Sequence, residues 1–157
     1  MWKVPKSFES KSLTAFLFSL VIICDQLSKY IVAQSMFIGE TFSLTPFFNL
    51  VRVENTGVTF GLFKGTAQPF VFALISLIIV IWLCVWVRSN KHLLMPVGLI
   101  ISGAIGNLID RFTYKAVIDF LDFHLLIYHW PAFNIADSAI VIGMAILFFG
   151  SYMEDRI

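Results

Sequence analysis

From Pro69 to Val87 the chain carries no charged residue. A helix needs about 20 mostly apolar residues to cross the hydrocarbon of a bilayer, and this stretch supplies them. The whole chain has 157 residues, 17 of them Phe, and is 59% hydrophobic but only 13% charged. A domain of this size cannot bury that much apolar surface in a core of its own, so the excess belongs in lipid. Three further segments fit a span. Segment 13–33 is interrupted by Asp25, Gln26 and Lys29, segment 93–109 ends at Asn107 and Asp110, and segment 135–152 begins beside Asp137. The expected fold is an α-helical membrane protein, a four-transmembrane-helix bundle with spans 13–33, 69–87, 93–109 and 135–152. It forms a single integral membrane domain, 1–157, because no repeat or low-complexity linker divides the sequence. The start, Met1-Trp2-Lys3-Val4-Pro5-Lys6, looks like the basic end of a signal peptide. The apolar run behind it carries Asp25 and has no small-residue cleavage site, so a retained first span is expected.

The connections are unequal. Arg88 to His92 is a tight turn that makes spans two and three an antiparallel hairpin. The loops 34–68 and 111–134 are long and fall together on the opposite side. Lys3, Lys6, Lys11, Arg88, Lys91 and Arg156 flank one side in short segments, whereas Lys29, Arg52, Lys64, Arg111 and Lys115 lie toward the other. The positive-inside rule then places both termini in the cytoplasm. In the first loop, Phe42, Leu44, Phe48, Leu50 and Val53 are spaced for extended structure, punctuated by Gly39, Pro46, Gly57, Gly61 and Gly65. A small extracytoplasmic β-sheet on the outer membrane surface is expected there. The second loop, with Phe120, Phe123, Leu125, Leu126, Tyr128 and Trp130, reads as an aromatic interfacial loop.

Polar residues at membrane depth are costly and are kept for chemistry, transport or fixed ion pairs. Asp25 and Lys29 are one helical turn apart, which suits a plain ion pair that lowers insertion cost. Asn107 and Asp110 share a helix face, and an Asp110–Arg111 pair tying down the helix end is the bland reading. Gly98, Ser102 and Gly106 form a small-residue stripe that signals close helix packing. Asn134 and Asp137, three apart at a helix start, suit capping. Asn55 and Gly57 suit an Asn-x-Gly turn, or a hydrogen bond from Asn55 to a bound peptide. Asp119 lies in the outer loop. Capping alone does not require polar groups arriving from three other segments. If Asp119 and Asp137 converge, two neighbouring carboxylates share a proton, as in an aspartic protease.

Other chemistries fit less well. The net charge of +1 gives no reason to expect nucleic acid. Cys24 and Cys84 read as small buried hydrophobes and not as a disulfide or zinc site. His92 lies in the wrong loop, and His124 and His129 are five apart, so neither a zinc-binding pair nor an Asp119–Asp122–His124 metal set is expected. There is no nucleophile elbow and no phosphate loop. A proton-coupled transporter using Asp25, Asp110 and Asp137 would want a path through span two and repeated halves, which are absent. A non-enzymatic scaffold for lipidated proteins would not need two convergent aspartates.

Five blocks, in order, resemble the bacterial lipoprotein signal peptidases (signal peptidase II). They are Asp25-Gln26-Leu27-Ser28-Lys29, Asn55-Thr56-Gly57-Val58-Thr59-Phe60-Gly61, Gly103-Ala104-Ile105-Gly106-Asn107-Leu108-Ile109-Asp110-Arg111, Val117-Ile118-Asp119-Phe120 and Phe133-Asn134-Ile135-Ala136-Asp137-Ser138. Ser28, Val58-Thr59 and Ser102 depart from the residues common in that family, and none is assigned to the chemistry. The resemblance implies an aspartic endopeptidase that cuts a prolipoprotein immediately before a cysteine carrying a diacylglyceryl group. It implies Asp119 and Asp137 as the catalytic pair, with Asp25, Lys29, Asn55, Gly57, Asn107, Asp110, Arg111 and Asn134 in supporting or substrate-binding positions. No metal and no cofactor are expected. The implied partners are diacylglyceryl-modified prolipoproteins and membrane lipid, with no nucleic acid, for a monomer in the bacterial cytoplasmic (inner) membrane whose site faces outward.

Overall fold

The computed structural model describes residues 10–57 and 68–154. The motif residues Val58 to Gly61, Gly65, and the flanking cations Lys3, Lys6, Lys64 and Arg156 lie outside the described residues. Four helices and four strands follow in the order α1 (Lys11–Ser35), β1 (Thr41–Thr45), β2 (Phe48–Asn55), α2 (Gln68–Ser89), α3 (Leu94–Thr113), β3 (Val117–Leu125), β4 (Tyr128–His129) and α4 (Ile135–Glu154). Stretches 11–35, 70–89 and 91–113 are each long and apolar enough to cross a membrane. The fourth helix, α4, is apolar through Ile135–Phe149. On α2, Leu74, Ile78, Ile81, Trp82 and Val85 are all exposed, which is how a lipid-facing helix looks without its lipid.

Helix ends show why these segments start and stop where they do. The Ser10 hydroxyl accepts from the Leu13 amide at 3.3 Å and caps α1. At the other end, Arg52 of β2 donates from one guanidinium nitrogen to the Ala33 and Met36 carbonyls, both at 2.7 Å. Those carbonyls have no partner within the helix, so Arg52 closes α1 and fixes the sheet against it.

Close backbone approach then sets the packing of α3. A Cβ on Gly98 would stand 2.6 Å from Thr14 Cγ2, and one on Gly106 would stand 2.6 Å from Asp25 Oδ2. A Cβ on Gly103 would collide with the Ala136 carbonyl. Gly98 and Gly106 of the small-residue stripe therefore serve close packing, as expected, by admitting α1, and Gly103, outside the stripe, admits α4. On the α2 side, Val80 and Leu83 pack with Val97, Ile100 and Ile101. At the sheet end, Val32 of α1 and Met36 just beyond it pack with Ile118 and Phe120 of β3.

The sheet is antiparallel in the order β1-β2-β3-β4. Its β2–β3 ladder contains a bulge. Leu50 pairs with Leu121 and Val53 with Asp119, so β2 carries one residue more than β3 over that interval. A bulge bends and twists its strand and re-aims side chains, and here it lies directly beside Asp119.

Three expectations need correction. The segment 111–134 is not simply an aromatic loop. It supplies β3 and β4, with Phe120 buried and Phe123 stacked between Phe48 and Phe133 at 4.7 and 5.9 Å. Its tip, Leu125, Leu126, Ile127, Tyr128 and Trp130, is the most exposed part. Helix α3 continues to Thr113, so Arg111 is helical and not the start of the second loop. Cys24 and Cys84 are free and exposed, not buried, because they occupy the lipid side of α1 and α2, where lipid and not protein is the apolar surrounding.

Candidate active site

Asp119 on β3 is 2% exposed, yet both of its oxygens are occupied. Oδ1 accepts from Asn134 Nδ2 at 2.7 Å, and Oδ2 accepts from Asn55 Nδ2 at 3.0 Å. Asp137, in the first turn of α4, accepts at Oδ1 from Asn107 Nδ2 at 2.7 Å and at Oδ2 from the Asn134 amide at 3.3 Å. Asn134 thus touches both carboxylates. It also accepts at Oδ1 from the Asp137 amide at 2.9 Å. The mutual bonding of Asn134 and Asp137 is a capping arrangement, and the same Asn134 side chain also reaches Asp119.

Each asparagine is oriented by a group that can only donate. The Gly57 amide donates to Asn55 Oδ1 at 2.9 Å, and the Asp137 amide and Lys29 ammonium do the same for Asn134 and Asn107. With its oxygen taken, each amide must present N–H to an aspartate. The two readings of Asn55 therefore merge as well: it makes the turn and donates to Asp119. Gly57 adopts φ +105°, and a Cβ there would strike the Phe72 ring at 2.6 Å, so that turn requires glycine.

Beneath this pair lies a buried ionic knot. Lys29, 1% exposed, donates to Asp25 Oδ2 and Asp110 Oδ2, both at 2.8 Å, and to Asn107 Oδ1 at 2.9 Å. The free Asp25 oxygen accepts from the Ala136 amide at 2.8 Å, so α1 helps to cap α4. Asp110 Oδ2 accepts from the Ile118 amide at 3.2 Å and anchors the start of β3. The Asp25–Lys29 pair is as expected, but the Asp110–Arg111 pair is not. Arg111 donates to its own helix carbonyl at Asn107, at 3.1 Å, and Asp110 turns inward to Lys29. The reason is geometric: Asp110 shares a helix face with Asn107, whereas its sequence neighbour Arg111 projects roughly a quarter turn away.

Sequence reasoning gave Gln26 no role. Its amide donates to Asp110 Oδ1 at 3.0 Å and the Gly106 carbonyl at 3.1 Å. The available signal was a third polar residue inside an apolar span. Asn49, Asp122 and His129 were also missed. Asp122 accepts from Asn49 Nδ2 at 2.8 Å and bonds His129 Nδ1 at 2.9 Å, while the His124 and His129 rings stack at 4.8 Å. Burial works to push the Asp122 carboxyl up, but the Asn49 and His129 hydrogen bonds hold it below the usual range. No motif spacing announces contacts made across strands.

Electrostatics single out Asp119. Burial, reinforced by the charge of Asp137 and opposed by the Asn55 and Asn134 hydrogen bonds, pushes its carboxyl up from 3.8 to about 6. Asp137 borders a cavity of about 590 Å³ lined by Trp130, Phe133, Ser138, Val141 and Ile142. An apolar trough thus runs along α4 and ends at a carboxylate.

The family model described as signal peptidase (SPase) II matches residues 17–153. The chain belongs to the signal peptidase II family. All the residues above fall within that match. Among similar proteins, the lipoprotein signal peptidase of Paraburkholderia phymatum is 44% identical over 87% of this chain and 86% of its own length. That of Thermodesulfovibrio yellowstonii is 44% identical over 81% and 86%. A solved bacterial membrane enzyme, determined by the in meso method at 2.3 Å, superposes with a TM-score of 0.82 at 31% identity, covering 92% of this chain and 90% of that one. Membership of signal peptidase II makes the chain a peptidase, and its apolar helices make it a multi-pass membrane protein.

Proposed function

We propose that this chain is an aspartic endopeptidase that removes signal peptides from prolipoproteins, cutting before a diacylglyceryl-modified cysteine, with Asp119 and Asp137 as the catalytic pair. The observation that carries the reading is Asn134, whose side-chain amide binds Asp119 while its backbone amide binds Asp137. A helix cap needs only the second contact.

Like charges held together cannot both ionise easily, so the pair titrates as a unit. Asp119, with its raised carboxyl, is suited to hold the shared proton. The ionised partner takes a proton from water, and the water oxygen attacks the scissile carbonyl. The protonated partner donates to the carbonyl oxygen, and collapse of the tetrahedral species delivers a proton to the leaving amine. The acyl chains of the substrate stay in lipid or in the trough along α4, while the peptide reaches Asp137 from its open side. Asp25, Lys29, Asn55, Gly57, Asn107, Asp110, Arg111 and Asn134 support the pair. The whole chain acts as one integral membrane domain and as a monomer. Both termini are cytoplasmic, and the site faces the outer side of the cytoplasmic membrane.

The test is a diacylglyceryl-modified prolipoprotein peptide incubated with purified protein. The cut is expected with the native chain and lost in Asp119→Asn and in Asp137→Asn, both of which still fold. Full activity in either variant rejects the assignment. A transporter or a lipid-binding scaffold would produce no cut at all.

A further inference from the structure

Helices α1 and α2 both pack on α3 but hardly on each other. The gap between them is a cleft of about 500 Å³, walled by Phe18, Val80, Val87, Leu94 and Ile101, with Lys11 as its charged wall residue. It lies at the opposite end of α3 from Asp110 and shares no wall with the trough at Asp137. We propose that this cleft is a binding site for an anionic glycerophospholipid, with one acyl chain between α1 and α2 and the phosphate held by Lys11, Arg88 and Lys91.

Three features point to that occupant. The cleft opens on the lipid-facing side of spanning helices, and its walls offer too few polar partners to hold ordered water. Its volume lies within the range of roughly 300–1,000 Å³ usual for ligand clefts. The charge of the described residues at this end is mainly basic. Lys11 begins α1, Arg88 closes α2 and Lys91 precedes α3, all three exposed. Of the described carboxylates, Asp25, Glu40, Glu54, Asp110, Asp119, Asp122 and Asp137 belong to the other half of the molecule, where Asp25 meets Gly106 at the far end of α3, and Glu154, the last residue of α4, is the one at this end. Long basic side chains at a helix end reach for the interface, and basic pockets between spanning helices recognise anionic headgroups. The inference rests on the spanning helices and not on the peptidase reading.

The full chain, stripped of lipid in detergent, is titrated with dioleoylphosphatidylglycerol or dioleoylphosphatidylcholine and weighed by native mass spectrometry. The anionic lipid is expected to be retained preferentially, with the preference falling about fivefold for each cation removed, as in Lys11→Gln and Arg88→Gln. Ala15→Trp, which fills the cleft, is expected to lose both lipids. Those two Gln substitutions change exposed side chains and keep the test open if Ala15→Trp does not fold. Equal retention of the two lipids by the native chain overturns the proposal. So does undiminished retention in a folded Ala15→Trp, a protein dimer in place of the lipid adduct, or retention that appears only after deletion of residues 1–9.

Discussion

The Lys29 ammonium donates to Asn107 Oδ1 at 2.9 Å, and this contact decides which end of the Asn107 amide faces Asp137. A reversed amide would set N–H against an ammonium and oxygen against a carboxylate. Lys29, which touches neither Asp119 nor Asp137, therefore helps to orient the groups around Asp137.

Lys29→Met should be costly for folding. It leaves Asp25 and Asp110 buried without their shared cation, and breaking a buried pair from one side costs about 3–5 kcal/mol. Thermal unfolding in detergent should show a large drop in Tm, whereas Lys115→Met, at an exposed residue, should leave Tm nearly unchanged. Equal Tm values for the two variants would contradict a structural role for the knot.

Asn134→Ala should separate stability from activity. Loss of a helix cap costs about 1 kcal/mol. The same change removes the 2.7 Å donor to Asp119, and misplacing a catalytic group can cost on the order of 10²-fold in rate. Parallel measurements of Tm and kcat should show a small fall in the first and a large fall in the second. A rate loss no larger than the stability loss explains would reduce Asn134 to a cap.

The raised carboxyl of Asp119 gives a pH dependence of known sign. Its folded value, about 6, lies above the ordinary 3.8, so the folded state binds this proton more tightly than the unfolded state. The stability it contributes is full below about pH 4 and is lost as pH rises through about 6. A shift of that size corresponds to a contribution on the order of 3 kcal/mol. Asp119→Asn removes it, so the variant should gain stability relative to the native chain between pH 4 and 7. Asp122 contributes the opposite slope, but both proteins share it and it cancels. A constant difference across that range would refute the titration.

Gly106→Ala tests the approach of α1 to α3. A methyl group there meets Asp25 Oδ2 at 2.6 Å, and Asp25 has no room to retreat because it binds both Lys29 and the Ala136 amide. The variant should lose stability and activity together. Gly39→Ala makes a useful contrast, since Gly39 has open space around it but φ +83°, so only backbone strain is at stake. A folded, fully active Gly106→Ala would show that the helices can part without harm.

Much of this was legible in the sequence because membrane spans announce themselves by length and composition. The strands of the first loop were visible in the alternation around Phe42 to Val53. Strand β3 was not, because Val117 to Phe123 is nearly unbroken apolar sequence apart from Asp119 and Asp122, and buried strands lack alternation. Lys29 was legible as the partner of Asp25, since one helical turn separates them. Its bond to Asp110 was not, since the two lie 81 positions apart and nothing in one sequence reports which helix faces which. Arg111 looked like the partner of Asp110 for the opposite reason: adjacency in sequence was mistaken for adjacency in space. Asp119 and Asp137 stood out only as expensive carboxylates, and the ordered motifs pointed to the role proposed for them.

The tie from Asp25 to the Ala136 amide spans 111 positions, and it has a bearing on biogenesis. When the first helix enters the membrane, its carboxylate has one partner in Lys29, while its other partner has yet to be synthesised. Asp119 likewise waits for Asn134. A nascent chain holding only the first three spans has every member of the Lys29 knot but neither Asn134 nor Asp137, so on the proposed reading a ribosome-bound or truncated product is expected to be proteolytically silent. Arrival of the last helix supplies the Ala136 amide to Asp25 and the Asn134 side chain to Asp119 together.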